Sequence, residues 1–103
     1  MSYQGWKNYE TFSMALFIDN DRNYYETALS TVQEAIRGVR GARKRWDESG
    51  ITEAKLATAD ALKEWFEEEM PELEGPWSSL LNSAFEEIDW IELAEHYMET
   101  LRE

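Results

Sequence analysis

The stretch PWSSLLNSAFEEIDWIELAEHYMETL, residues 76–101, decides the fold. Proline suits a first helical position, where its missing N–H would have had no partner anyway. Trp77, Leu80, Leu81, Ala84, Phe85 and Ile88 then follow at steps of three and four, the period of one helix face. Asp89 and Glu92 have the spacing of a capping box, so a further helix starts there. Its inner row is Trp90, Leu93, Ala94, Tyr97, Met98 and Leu101. These are two amphipathic helices in succession, and no part of the chain alternates with the period of a strand.

Upstream, Pro71 stops a helix that Thr52 can cap, with Leu62, Trp65, Phe66 and Met70 as its inner stripe. Asp47-Glu48-Ser49-Gly50 reads as a turn before it. A longer helix begins near Asp21 or Arg22, with Tyr25, Ala28, Leu29, Val32, Ile36 and Val39 at helical spacing; Gly38 and Gly41 weaken its far end. The first helix is capped by Asn8 and runs to about Ile18, with Tyr9, Phe12, Ser13, Leu16 and Phe17 expected to face inward. The expected fold is therefore all-α, a compact bundle of about five short helices forming a single domain over residues 1–103.

An apolar share of 43% makes a packed core affordable despite the high charge. No cysteine is present, so disulfides and thiolate metal sites are excluded. No segment reads as a signal peptide or approaches the roughly 20 apolar residues that span a bilayer. A cytoplasmic protein with no membrane contact is expected.

Charge is the informative quantity. The net charge is −12, and it is segregated. Residues 1–59 hold eight acids and eight bases, whereas residues 60–103 hold fourteen acids against Lys63 and Arg102. Such a surface repels nucleic-acid phosphates and acidic lipids and attracts a basic partner.

The run Gly5-Trp6-Lys7-Asn8-Tyr9-Glu10-Thr11-Phe12 resembles the opening of a family of small uncharacterised proteins from phages, plasmids and bacterial mobile elements. That opening is Gly-Trp-x-Asn-Tyr-Glu-Thr-(Trp/Phe), followed by an Asn-Asp pair like Asn20-Asp21. The runs Trp77 to Ala84 and Asp89 to His96 are similar to the same family, while residues 37–52 depart from it. The resemblance implies a mobile-DNA context and carries no activity. Read physically, Asn8 accepts N–H bonds at a helix start and Trp6 packs back over the first turn.

Catalysis finds little support in the residues. A nucleophile needs a nearby base, and His96 is the one histidine. Glu92 and Glu99 share its helix face, but a di-metal bundle site needs two histidines and facing carboxylates. His96 is read as a surface residue, with no metal, no cofactor and no enzymatic role expected.

The carboxylates offer more. Glu92, Glu95, Glu99 and Glu103 form a row on the last helix, and Asp60, Glu64, Glu67 and Glu68 form another on the third. Glu69, Glu72 and Glu74 crowd the end of the third helix, and Glu86 and Glu87 close the fourth. Rows of like charge cost stability, so they suggest a retained purpose, although an acidic face also serves solubility alone. Arg37, Arg40, Arg43, Lys44 and Arg45 beside Trp46 suit a helix C-terminus, and alternatively a small phosphate-contacting patch.

The reading is of an inhibitor that offers Glu64, Glu67, Glu68, Glu69, Glu72, Glu74, Glu86, Glu87, Glu92, Glu95 and Glu99 to the basic surface of a host nucleic-acid-binding defence factor. A CRISPR effector or a restriction enzyme is the natural target class. The alternative is an adaptor or homodimeric structural protein that makes contact through Tyr24, Trp46 and Trp77.

Overall fold

The structure, a computed structural model, describes residues 4–41 and 48–102. Its helices are α1 (Tyr9–Asn20), α2 (Arg22–Gly41), α3 (Glu48–Glu69), α4 (Pro76–Glu87) and α5 (Trp90–Arg102). The fold is an all-α bundle, and among the described residues no helix is long and apolar enough to cross a membrane.

Local chemistry sets most of the boundaries. Asn8 caps α1, its Oδ1 accepting from Thr11 N at 2.9 Å. Asp21 breaks the chain and caps α2, with its carboxylate taking Tyr24 N at 3.1 Å. Pro71 follows the last turn of α3, where Met70 N closes on Glu67 O. Gly75 sits at φ 66° and ψ −145°, a region open only to glycine, which lets the chain turn into Pro76. One boundary differs from expectation: α3 begins at Glu48, so Glu48 to Gly50 are helical and Thr52 lies inside the helix rather than at its cap. Turn-prone residues are tolerated there because the N–H groups of a first helical turn have no intrahelical partners to lose.

The core is made by α1, α2, α3 and α5. Ala15 and Ile18 meet Ala28 and Val32, Ala59 and Leu62, and Trp90, Leu93, Ala94 and Tyr97. The inner row expected of α5 packs in full, and those of α2 and α3 pack except for Val39 and for Met70, which follows the end of α3 and lines a cleft instead. Tyr24 near the start of α2 stacks on Trp65 and Phe66 near the end of α3, so these helices run in opposite directions. Phe66 meets Trp90, and Lys55 meets Glu95, which makes α3 and α5 antiparallel as well.

Two expected inner faces are corrected. The buried side of α1 is Thr11, Ala15 and Ile18, whereas Tyr9, Leu16 and Phe17 are each about half exposed. This helix is apolar nearly all round, so periodicity alone cannot choose its inner face. In α4 no residue is fully buried: Trp77 is 64% exposed and Leu80 60%, while Leu81 and Phe85, like Ile88 just beyond the helix, are half-buried, Phe85 and Ile88 against the core. α4 packs on α1 beside the bundle, not within it.

Polar bonds hold α4 in place. Asn8 Nδ2 donates to Glu87 O, a last-turn carbonyl of α4, at 2.7 Å. The Thr11 hydroxyl donates to Asn8 Oδ1 at 2.6 Å and accepts from Asp89 N at 2.8 Å. The expected capping box is thus only half formed. Glu92 N does donate to Asp89 Oδ1 at 3.0 Å, but the Glu92 carboxylate turns to Lys7 N, because Thr11 already serves Asp89 N.

At the other end of α1, the buried Tyr97 hydroxyl donates to Asp19 at 2.9 Å. Burial first, and the Asp19 carboxylate second, push the Tyr97 pKa well above the usual tyrosine range.

Thr11→Val should cost about 2 kcal/mol in chemical denaturation, since it strands Asp89 N, and Thr11→Ser about half that. A second test uses the Tyr97 proton. Its folded pKa is raised, so the stabilisation is complete below about pH 10 and is lost as pH rises above that, where the unfolded chain ionises first. Stability is expected to fall above pH 10 with a slope of about 1.4 kcal/mol per pH unit from this group, and Tyr97→Phe should remove that component.

Candidate functional site

On α3, Asp60, Glu64, Glu67 and Glu68 are exposed on the side of the helix opposite Thr58 and Leu62, which are buried. Glu72 and Glu74 continue the exposed series past the end of the helix. None of these six carboxylates makes an ion pair among the described residues.

The exposed Glu86 and Glu87 at the end of α4 come close to this row. They line a cleft of about 500 Å³ with Asp60 and Asp89, in which Lys7 and Lys63 are the cations. Acids distant in sequence are therefore brought together there, with partial neutralisation at the edge.

The α5 acids are more engaged. The half-buried Glu92 accepts from Lys7 N at 3.0 Å. Glu95 lies 3.7 Å from Lys55, and Glu99 is exposed on the same side of the helix as Glu92 and Glu95. Glu103 lies outside the described residues. Of the basic cluster, Arg37 is exposed; the side chains of Arg40, Arg43, Lys44 and Arg45, and that of Trp46, lie outside the described residues.

Glu69 stands apart from the other acids. It falls on the apolar side of α3, where its two oxygens accept from Tyr24 Oη at 2.6 Å and Trp65 Nε1 at 2.8 Å. That hydrogen bond, more than desolvation, raises the Tyr24 pKa. Tyr24, expected as an exposed anchor, is instead half-buried in the stack with Trp65 and Phe66.

His96 is also better enclosed than a plain surface residue. Its ring meets Trp6 and Tyr97 edge-on at 5.0 and 4.8 Å, and Nε2 lies 3.6 Å from Asp19. Trp6 therefore packs against α5, farther than the expected contact with its own helix. Among the described residues, no group of three His, Cys, Asp or Glu is placed to hold a metal ion.

A second surface was not foreseen. Between α1, the end of α3 and α4 lies an open cleft of about 550 Å³ with a predominantly apolar lining. Phe17, Met14, Phe66, Leu81, Ala84 and Phe85 line it, with Glu10 and Glu69 as its acidic groups. The available signal was α1 itself, whose apolar residues outnumber what one buried face can use.

These features define a helical protein with an anionic ridge and an adjoining apolar cleft. The chain belongs to DUF7249, a family of unknown function whose profile matches residues 1–99. No curated protein and no solved structure matches it.

Removing the repulsion along α3 should be measurable. The combined Glu64→Gln, Glu67→Gln and Glu68→Gln variant is expected to gain about 1 kcal/mol at low salt, as glutamine matches glutamate in helix propensity. In thermal melts the gain should shrink towards zero near 1 M salt, where such interactions are screened.

Proposed function

We propose that the protein acts by binding rather than by catalysis, occupying the basic surface of a nucleic-acid-binding protein in place of the nucleic acid. The observation that carries this reading is the α3 row with its extension, Asp60 to Glu74, exposed and without ion-pair partners among the described residues. The density of charge narrows the mimicry. Asp60 to Glu68 place four carboxylates along about 12 Å of helix axis, or about one per 4 Å. One strand of B-DNA carries a phosphate per roughly 3.4 Å of axis, and the duplex one per roughly 1.7 Å. The row therefore imitates one strand. Glu86 and Glu87 widen it, whereas Glu69 and Glu92, already hydrogen-bonded within the protein, are the weakest contributors.

A mobile-element accessory role, with a CRISPR effector or restriction enzyme as the target, fits the resemblance of the opening motif and an acidic inhibitor. The adaptor or homodimer reading draws on Trp77, which is 64% exposed, but it loses Tyr24 as a free anchor.

Competition decides between them. The protein should displace a labelled single-stranded oligonucleotide from a target effector, with an inhibition constant that weakens steeply as salt rises. The Glu64, Glu67, Glu68 to Gln variant should lose at least about tenfold in this assay, equivalent to about 1.4 kcal/mol. Unchanged oligonucleotide binding across a panel of CRISPR and restriction effectors would sink the proposal.

A further inference from the structure

The cleft between α1 and α4 combines apolar surface with fixed negative charge. Tyr9 and Phe17 on its α1 wall are 55% and 52% exposed, and Ala84 on its α4 wall is also exposed. α4 has no fully buried residue, so its apolar stripe is only partly covered among the described residues. At the edge of the cleft, Glu69 is held in one orientation by Tyr24 Oη and Trp65 Nε1. Glu10 faces the same cleft and has no ion pair among the described residues.

We propose that this cleft is a docking site for an amphipathic helix of a partner protein whose apolar row is flanked by lysine or arginine. Charge complementarity selects this occupant. A second copy would bring a net charge of −12 against an equal one and set the same Glu10 and Glu69 opposite each other. An amphipathic helix lays its apolar row into a groove of this form, and a cation beside the row meets an already oriented Glu69 carboxylate. The inference deepens the adaptor reading by naming the partner's chemistry, and it is separable from mimicry because the α3 row lies on the other side of that helix.

The probe is a fluorescein-labelled leucine/lysine peptide of about 18 residues, long enough to hold a helix, with its leucines at helical spacing. Controls are a peptide of the same composition with leucine and lysine alternating, and a leucine/glutamate peptide of helical spacing. Anisotropy with the full chain should show a Kd of about 10 μM or tighter for the first peptide and at least about tenfold weaker binding for both controls. Ala84→Gln and Phe17→Ser, each at an exposed position, should weaken binding by about tenfold or more, with circular dichroism unchanged. The Glu64, Glu67, Glu68 to Gln variant should stay within about threefold of the parent, although it loses oligonucleotide competition. The proposal is overturned if the alternating peptide binds equally well, if Ala84→Gln binds like the parent, or if no binding is seen. A concentration-dependent mass abolished by Ala84→Gln would overturn it too, because a second copy would then fill the cleft.

Discussion

The relay from Asp89 N to Thr11 Oγ1 to Asn8 Oδ1, with Asn8 Nδ2 on Glu87 O, positions the outer half of the molecule. A helix end leaves N–H or C=O groups without partners. Here one amide side chain serves two ends at once, its oxygen capping the start of α1 and its N–H donating to a carbonyl at the close of α4, while Thr11 serves the N-terminal approach to α5. Thr11 is fully buried, so its bonds are sheltered from competition by water. α4 supplies no fully buried side chain, so these bonds join the partial packing of Phe85 and the adjoining Ile88 on the core in placing it. Both candidate surfaces inherit the dependence: Glu86 and Glu87 reach the α3 row, and Leu81 and Ala84 wall the cleft, only because α4 is fastened there.

Charge is organised by the same economy of partners. Most of the excess carboxylates stand on helix sides turned away from the core, where water solvates them and only mutual repulsion is left as a cost. Glu69 is the informative exception. Helical phase places it in line with Leu62, Trp65 and Phe66, and it is accommodated because a phenol O–H and an indole N–H are both aimed at it. Those two donors need an acceptor as much as the carboxylate needs donors. The result is an anion oriented by two donors beside aromatic rings, unlike the outer-row acids, which make no ion pair among the described residues.

The division between what was legible and what was not follows from range. Pro71, Gly75-Pro76, Asn8, Asp21 and Asp89 act within a few residues of themselves, and each marks a boundary close to where the structure has one. The inner rows of α2, α3 and α5, Val39 and Met70 apart, were legible because each helix has one apolar side and one polar side. α1 offered no such contrast, and its orientation is chosen by bonds 78 residues away in sequence, from Asp89 N to Thr11 and from Tyr97 to Asp19. The clean stripe of α4 misled for the opposite reason: periodicity reports that a face is apolar, not that the chain itself covers it. As for the site, the exposure of the α3 acids could be read from phase alone. The diversion of Glu69, Glu92 and Glu95 to Tyr24, Trp65, Lys7 and Lys55 could not, since those pairings require the tertiary fold.

The two surfaces adjoin at one place, the end of α3. Glu67 and Glu68 belong to the ridge, Glu69, Met70 and Pro71 to the cleft, and Glu72 to the exposed series again. The physics of the two differs in a way that makes adjacency useful. Screened charges act over about 10 Å and chiefly raise the rate of encounter, whereas desolvated apolar contact chiefly lengthens residence. A basic partner drawn in by the ridge would arrive beside Glu69, a carboxylate already oriented by two hydrogen bonds, and beside the apolar lining of the cleft. The turn at Gly75 and the clasp on Glu87 lie at the two ends of α4. Beneath the cleft, Met14, Phe66 and Phe85 connect its lining to the core.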